Sequence, residues 1–336
     1  MGKNKSLMSL LPPLSQFIDD TSGAEIAYRL QRPRDTGEKL PPLVFLHGYN
    51  GNSKSWAYQF SEFSDHTIIA IDAPGFGGSK TVESDMFRIA DWIAKLIKSL
   101  VEEKTIVVGH SMGGMQALEW ATSYPNRCGA LVIIASTAAA SAQQIAWSQV
   151  GRQAILDDPA YQAGHYYDSE PGNGPHLGLA NARRIAMIHY RSDEEFDRRF
   201  DRHSNDPVEP FRLEHRFDVE SYLDYQAEKI QWRFDANTYL ILNKMMDLHD
   251  VGRGRGGVEQ ALKRVTCPSL LMSVRTDFLY PRHQQIRVVD GLKGRVPVEH
   301  IDIDSDNGHD GFLTEPEQTG VPMGEFIEKV AKGSIA

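Results

Sequence analysis

Cysteine is scarce in this sequence. Only Cys128 and Cys267 occur, and they are too far apart to form a CxxC pair. Two isolated cysteines argue against a disulfide framework and against a structural zinc site. This usage is typical of a reducing compartment, so we expect a cytoplasmic protein. The apolar run near the N-terminus ends at Pro12 and is too short for a signal peptide or a membrane span, so no membrane association is expected.

Positive charge is also in deficit. The chain carries 36 Lys and Arg against 45 Asp and Glu, for a formal net charge of −9. It lacks the basic block that would follow a phosphate backbone, so we expect no nucleic-acid partner. Gly2 and Ser6 match a myristoylation pattern, but such short patterns often match by chance and no acylation is predicted.

Metal-binding motifs are missing as well. No HExxH occurs, and the spacing of Asp302, Asp304 and Asp306 imitates a calcium loop without the glycine and glutamate that positions six and twelve require. A GxGxxG at residues 252–257 follows a helical stretch instead of a strand, so it does not predict dinucleotide binding. We therefore expect no metal and no bound cofactor.

What the sequence does contain is a regular alternation of short apolar runs and helical stretches. With 336 residues and 41% hydrophobic content, it can form one large core with an inserted subdomain. β-Branched runs separated by helices are typical of a mostly parallel sheet covered on both faces. Strands are predicted at residues 16–20, 25–30, 43–46, 67–71, 105–108 and 130–135, with helices at residues 84–101 and 112–123.

From Thr137 the pattern changes to charged and aromatic residues with helical periodicity. Strand-like runs resume at residues 269–274 and 298–303, with helices at residues 282–292 and near 324–332. The sequence thus predicts an α/β core formed by residues 1–136 and 264–336, with a helical cap at residues 137–263 inserted after the sixth strand.

The strongest chemical signal is Gly109-His110-Ser111-Met112-Gly113, placed between a predicted strand and a predicted helix. A serine on this strained turn needs small neighbours two positions away on each side, and Gly109 and Gly113 supply them. The motif predicts an α/β-hydrolase fold with Ser111 as nucleophile. The structural alternative for this motif is a glycine-rich turn between strand and helix in which the serine is not catalytic.

A serine nucleophile needs a histidine base and an acid that orients it, and in this fold they follow in the order acid, then histidine. Asp277 and His309 each follow a predicted late strand. They are therefore predicted to complete a triad with Ser111. The alternatives are a helix cap for Asp277 and an exposed loop for His309.

The oxyanion of an acyl transfer needs two donors. The backbone N–H of Met112 is predicted to be one of them, and the N–H of Tyr49, in the glycine-rich loop after the third strand, the other. We interpret His47 in the same loop as a buried histidine that holds the loop.

Several stretches resemble the homoserine O-acetyltransferases, which share this fold and use an acyl-enzyme. They are residues 111–120 (SMGGMQALEW), 141–146 (SAQQIA), 182–186 (ARRIA), 219–226 (VESYLDYQ), 233–239 (RFDANTY) and 308–313 (GHDGFL). Some of them lie in the predicted cap, which generic hydrolases do not share. Together they span about two thirds of the chain.

The resemblance implies an acetyl group carried from acetyl-CoA, or another acyl-CoA, to the hydroxyl of a small amino acid. It also implies that Arg183 anchors the α-carboxylate of that acceptor and that Asp310 binds its α-ammonium group, as guanidinium and carboxylate groups can. Arg191 is the competing candidate for the anchor, and a cap salt bridge is the structural alternative for Arg183. A homodimer formed through the cap is a further expectation.

The first hundred residues differ from that family. Residues 45–48 (FLHG) and 71–79 (IDAPGFGGS) look like those of ordinary esterases of the fold. A carboxylic ester hydrolase with the same triad is therefore the alternative to an acyltransferase. A non-catalytic receptor of this fold would be indicated by a broken triad, and the sequence shows no such break.

Overall fold

A computed structural model describes residue 8 and residues 11–33, 40–81, 85–170 and 172–335, so the Gly2 pattern lies outside the described residues. Eight strands in this part of the chain form one sheet. They are β1 (Leu14–Ile18), β2 (Glu25–Gln31), β3 (Leu43–Leu46), β4 (Ile68–Ile71), β5 (Thr105–His110), β6 (Cys128–Ile134), β7 (Ser269–Val274) and β8 (Val298–Ile303).

The sheet runs in the order β1-β2-β4-β3-β5-β6-β7-β8. β2 pairs antiparallel with β1 and with β4, and every other neighbouring pair is parallel. β3, β4, β5 and β7 are buried along their whole length, as expected of parallel strands covered on both sides. The predicted mostly parallel sheet is confirmed.

Helices cover the two faces. The core helices are α1 (Ala57–Glu62), α2 (Met86–Leu100), α3 (Met112–Ser123), α9 (Val258–Leu262), α10 (Arg282–Leu292), α11 (Gly311–Thr314) and α12 (Pro316–Ala331). One apolar cluster joins α2, α3, α9 and α10 to alternate strand residues such as Val44 and Ile69. The other joins α1 and α12 to the intervening residues, such as Phe45 and Ile68. Because strand side chains alternate in direction, the two clusters lie on opposite faces.

Between β6 and β7 the chain forms helices that pack on one another. They are α4 (Ala142–Leu156), α5 (His176–His189), α6 (Asp193–Phe200), α7 (Asp218–Gln231) and α8 (Ala236–Asp247). Their own apolar cluster includes Ile155, Leu179, Ile230 and Tyr239. We call α4 to α8 the cap helices. The short helix α9, by contrast, belongs to the apolar cluster of the sheet.

The last helix differs from its prediction. It begins at Pro316, whereas the sequence pattern placed its start near Gly324. Gly320 and Pro322 interrupt the helical pattern, and each is unfavourable inside a helix. Burial of Met323 and the residues that follow it against the sheet outweighs that local preference.

No helix among the described ranges is long and apolar enough to cross a bilayer.

Candidate active site

Ser111 occupies a strained turn between β5 and α3, with φ 54° and ψ −123°. A non-glycine residue is costly there, by about 1–3 kcal/mol, so the surroundings must hold it in place. A Cβ atom on Gly109 would lie 2.1 Å from the Gly113 carbonyl oxygen, and one on Gly113 would lie 2.0 Å from the Leu46 carbonyl oxygen. Only glycine fits either place, which is the requirement that the sequence motif predicted.

The structure brings Ser111, Asp277 and His309 together. The Ser111 hydroxyl lies 2.9 Å from His309 Nε2, and His309 Nδ1 lies 2.7 Å from Asp277 Oδ2. All three side chains are buried. These distances allow the histidine to take the serine proton while the carboxylate holds its ring in one tautomer.

Asp277 is fixed by its own loop. Its other carboxylate oxygen, Oδ1, accepts hydrogen bonds from the backbone N–H groups of Leu279 and Tyr280, at 2.8 and 2.9 Å. The Tyr280 ring stands edge-on to His309, with the ring centres 5.2 Å apart. The carboxylate therefore has one oxygen bound to its turn and one available to the histidine.

The pKa of His309 reflects two opposing influences. Burial disfavours the charged ring, but the charge and hydrogen bond of Asp277, with a smaller contribution from the charge of Asp310, raise the pKa above its usual value. A base with a raised pKa accepts the serine proton more readily. It also becomes protonated, and so inactive as a base, at a higher pH.

The backbone of His309 is attached to the cap. Its N–H donates a hydrogen bond to the carbonyl oxygen of Tyr190, which ends α5, at 2.9 Å. The preceding Gly308 has φ 64°, and a Cβ atom there would lie 2.6 Å from the same carbonyl. The Tyr190 ring lies 5.9 Å from the His309 ring. Tyr190 and the histidine loop thus pack directly on each other.

The candidate oxyanion donors lie beside the nucleophile. Met112 is the first residue of α3, so its N–H has no partner within the helix. Tyr49 lies in a turn at residues 48–51, closed by a hydrogen bond from the Gly51 N–H to the Gly48 carbonyl at 3.1 Å. A Cβ atom on Gly48 would lie 3.0 Å from that of Ser111, so this loop passes against the serine.

His47 holds that loop through both of its ring nitrogens. Nδ1 donates to the Gly48 carbonyl at 2.7 Å, and Nε2 accepts from the Ala73 N–H at 2.9 Å. Because Nε2 accepts a hydrogen bond it carries no proton, so the ring is neutral in this arrangement, and burial lowers its pKa in the same sense. This is the holding role that the sequence interpretation gave it.

Two residues that the sequence reasoning missed support the elbow. The Ser136 hydroxyl donates to the Ser111 carbonyl at 2.7 Å, and Gln285 in α10 donates to the carbonyls of Ser136 at 2.6 Å and Tyr280 at 3.1 Å. Gln285 thereby joins the serine turn to the loop of Asp277. No local motif marks either residue, because the contacts connect distant segments.

His110 is a buried neutral histidine beside the nucleophile. Its ring lies between Trp56 and Phe312, with ring centres 5.1 and 4.7 Å away. Burial, followed by the charges of His47 and His309, lowers its pKa to about 3. His110 is therefore part of the packing around the elbow.

Arg183 lies in α5 and faces tyrosines instead of acids. Its guanidinium is 5.9 Å from the centre of the Tyr190 ring, and it makes no ion pair or hydrogen bond with any other residue in the described ranges. The cap salt bridge belongs to its neighbour, Arg184, which pairs with Asp224 at 2.7 Å. The salt-bridge alternative for Arg183 thus finds no partner among the described residues.

Arg191 and Asp310 form a pair. Arg191 Nη2 lies 3.2 Å from Asp310 Oδ2, and Nη1 lies 3.1 Å from Glu195 Oε2. The charge of Arg191 is therefore already shared between two carboxylates. Asp310, next to His309 in the chain, remains partly exposed with one side held by this arginine.

Tyrosine side chains that sequence reasoning left without a role complete the site. The cap residue Tyr239 packs edge-on against Tyr49, with ring centres 5.9 Å apart. Tyr190 lies between Arg183 and His309. The stretch that contains Tyr239 resembled the acetyltransferase family, whereas no such stretch contains Tyr190. Nothing in the spacing indicated that Tyr190 would reach His309 or that Tyr239 would reach Tyr49.

No group of three or more His, Cys, Asp or Glu in the described ranges is placed to hold a metal ion. The three aspartates of the imitation calcium loop pair with arginines instead. Asp302 lies 2.7 Å from Arg282, and Asp304 and Asp306 both pair with Arg275.

The chain is similar in sequence to known acetyltransferases. A homoserine O-acetyltransferase from Thermobifida fusca is 52% identical over 221 residues, which are 66% of this chain and 57% of that protein. The chain spans somewhat more than half the length of the curated relatives it matches. The resemblance stated from the sequence, and its extent of about two thirds of the chain, are confirmed.

Solved structures share the fold at low sequence identity. The homoserine O-acetyltransferase from Bacillus anthracis superposes with a TM-score of 0.80 and 19% identity, covering 94% of this chain and 97% of that one. An acetylester hydrolase from Corynebacterium glutamicum superposes with a TM-score of 0.75 and 20% sequence identity, covering 95% of each chain. The sequence model of the α/β hydrolase fold family matches residues 41–316, and this chain belongs to that family.

Proposed function

We propose that this protein is an O-acetyltransferase that moves an acetyl group from acetyl-CoA, by way of Ser111, to the hydroxyl of a homoserine-like amino acid. The observation that carries the proposal is the Arg183 guanidinium, which faces the site without an acidic partner among the described residues. Arg183 is only partly buried, but a guanidinium without an acidic partner is free to bind a carboxylate with charge-assisted hydrogen bonds. An esterase that acts on simple alkyl esters would have no need of such a cation.

In the first half-reaction, His309 takes the Ser111 proton as the serine oxygen attacks the thioester carbonyl. The N–H groups of Met112 and Tyr49 would hold the resulting oxyanion. The bond to sulfur then breaks, His309 returns the proton to the leaving thiolate, and free CoA departs. Ser111 is left as an acetyl ester.

In the second half-reaction, His309 removes the proton of the acceptor hydroxyl, which attacks the acetyl-serine. Arg183 would bind the acceptor's carboxylate, and Asp310 its ammonium group. Asp310 lies next to His309 in the chain, so an ammonium group bound there places the rest of the acceptor near the base. Ser111 recovers its proton, and the acetylated amino acid leaves.

One assay tests this proposal. The protein is incubated with acetyl-CoA, with and without L-homoserine, and separately with p-nitrophenyl acetate. CoA release that depends on homoserine is the expected result. Turnover of the nitrophenyl ester without any acceptor dependence would instead identify a carboxylic ester hydrolase, in which water resolves the same acyl-enzyme.

We also propose that the protein is a homodimer that pairs through its cap. Leu177 and Ile188 lie on one side of α5, and Tyr225 and Trp232 lie along the adjacent α7. Leu177 is 75% exposed and Trp232 is 79% exposed. Exposed apolar groups on adjacent helices are typical of an interface. Sedimentation that shows only monomer at micromolar concentration would overturn this proposal.

A cytoplasmic location is part of the same proposal. Its support is that the chain has only two cysteines, Cys128 and Cys267, and that both are buried. A chain without a disulfide framework is typical of a reducing compartment.

A further inference from the structure

The hydroxyl group of Tyr49 is buried and has no hydrogen-bond partner among the described residues. Buried hydroxyls in folded proteins are almost always hydrogen-bonded, and an exception calls for a physical explanation. The proposed role of Tyr49 as an oxyanion donor uses only its backbone N–H. Its side chain is a separate feature of the site.

The position of this hydroxyl is fixed by the rings around it. Tyr49 stands edge-on to Phe76 at 5.5 Å and to Tyr239 at 5.9 Å, and it is tilted against Phe234 at 5.6 Å, all between ring centres. Phe76 comes from the loop after β4, whereas Phe234 and Tyr239 come from the cap. Held from both sides, the ring cannot turn its hydroxyl towards another partner.

The groups that act on this hydroxyl, two tyrosine hydroxyls and one guanidinium, can each donate a hydrogen bond, and the guanidinium can only donate. Burial raises the pKa of Tyr49, the Tyr239 and Tyr190 hydroxyls raise it further, and the charge of Arg183 opposes them. The Tyr239 hydroxyl lies 3.4 Å from the place of a Cβ atom on Gly151, and Ala182, which precedes Arg183, borders the same place. Among the described residues, no carboxylate acts on the Tyr49 hydroxyl itself, although the charges of Asp310 and Asp247 act on its neighbours Tyr190 and Tyr239.

Groups that can all donate, and that include a cation, suit an anion with several acceptor oxygens. A carboxylate can accept from a guanidinium and from hydroxyls at once. The phosphates of CoA fit less well, because a pantetheine arm separates them from the reacting thioester, whereas Tyr190 lies against the ring of His309. The acyl methyl group needs no donor at all.

We propose that the Tyr49 hydroxyl, together with Arg183, binds the carboxylate of the acceptor amino acid, so that Tyr49 determines acceptor specificity. This inference rests on the proposed function, because it gives the same site a further residue. Tyr49 would then serve both half-reactions, the first through its backbone N–H and the second through its side chain.

Tyr49→Phe separates the two roles, because it keeps the N–H and the ring and removes only the hydroxyl. Calorimetry gives the Kd of L-homoserine for the wild type, Tyr49→Phe and the control Tyr58→Phe, an exposed tyrosine of α1 in the core. We expect Tyr49→Phe to weaken binding roughly tenfold or more, as the loss of a hydrogen bond to a charged group does. Tyr58→Phe should bind as the wild type does.

Two kinetic measurements complete the test. The burst of p-nitrophenol from p-nitrophenyl acetate, which reports formation of the acyl-enzyme, should be the same in both variants and shows that each has folded. With 2-amino-1,4-butanediol, an acceptor that has an alcohol in place of the carboxylate, Tyr49→Phe should match the wild type. An equal loss with both acceptors would overturn the inference.

The outcomes distinguish the two proposals. If the wild type transfers acetyl to homoserine and Tyr49→Phe binds homoserine as tightly, the inference fails and the proposed function stands. If the wild type transfers nothing but binds homoserine more tightly than Tyr49→Phe does, the proposed function fails and the role of Tyr49 stands. A wild type that binds no homoserine overturns both.

Discussion

The site is supplied from two sides that differ in how their polar groups are paired. The triad groups on the loops of the sheet bind one another, since Ser111 contacts His309, which contacts Asp277. Among the described residues, Arg183 of the cap has no acidic partner, and the hydroxyl of Tyr49, which a loop of the sheet places against the cap, has no hydrogen-bond partner. The triad is therefore arranged before any ligand arrives, whereas the part of the site that faces the cap is incomplete without a ligand.

Substitutions on the two sides should therefore have different effects on the kinetics. Changes on the sheet side should reduce the chemical step for every substrate. Changes on the cap side should reduce binding of the acceptor and leave formation of the acyl-enzyme unaffected.

The largest effect is expected at the nucleophile. Ser111→Ala should lower both acetyl transfer and nitrophenyl-ester turnover by more than about a thousandfold, because the acyl-enzyme cannot form. Steady-state kinetics and mass spectrometry of acetylated protein measure this. A variant that retains half its activity, or is still acetylated at this position, would refute the mechanism.

The next effect is expected at Arg183 on the cap. Arg183→Met should raise the KM for homoserine by about ten- to a hundredfold, since a charged hydrogen-bond partner of the carboxylate is lost. The nitrophenyl burst should stay unchanged. Arg184→Met is the matched control, because that arginine pairs with Asp224 instead. Equal effects of the two substitutions would remove Arg183 from the site.

Asp310 contacts Arg191 of the cap and also acts on His309, so its substitution should change the pH dependence of the reaction. Its charge helps to raise the pKa of His309, so Asp310→Asn should lower that pKa. Because His309 must be neutral to act as a base, the acid limb of kcat/KM for the nitrophenyl ester should move to lower pH. Asp306→Asn, in the same loop and paired with Arg275, is the control. An acid limb that stays in place in Asp310→Asn would contradict this reading.

The smallest effect is expected at Arg191. Its charge is already shared by Glu195 and Asp310, so Arg191→Met should raise the KM for homoserine less than about tenfold, through a less fixed Asp310. A thermal melt recorded beside the kinetics separates this effect from loss of stability. If Arg191→Met is more damaging than Arg183→Met, Arg191 is the anchor and the assignment of the two arginines is reversed.

Much of the framework could be predicted from the sequence. The strands at residues 43–46, 269–274 and 298–303 and the helices at residues 112–123 and 282–292 lie where the pattern placed them. Each is a run of one periodicity between clear turn signals, so local preference and tertiary packing agree. The last helix was misjudged where they disagree, at Gly320 and Pro322.

The site divides in a similar way. Ser111, Asp277 and His309 could be proposed because each follows a strand in the order that the fold requires. Sequence reasoning could not predict the pairing of Arg191 with Asp310 or the hydrogen bonds of Gln285. Each of these contacts joins segments that are far apart in the chain. The hydroxyl of Tyr49 gave no signal at all, since a missing partner is visible only once the surroundings are known.

The hydrogen bond from the His309 N–H to the Tyr190 carbonyl has a consequence for turnover. Lifting the end of α5 away from the sheet breaks that bond and leaves the loop of the base held from the sheet side, by Thr276 and Asp277. A site opened in this way would hold its base less firmly at the moment when water could enter. This one hydrogen bond would thus couple opening of the cap to a weaker base. An acyl-enzyme exposed to solvent would therefore be slow to hydrolyse.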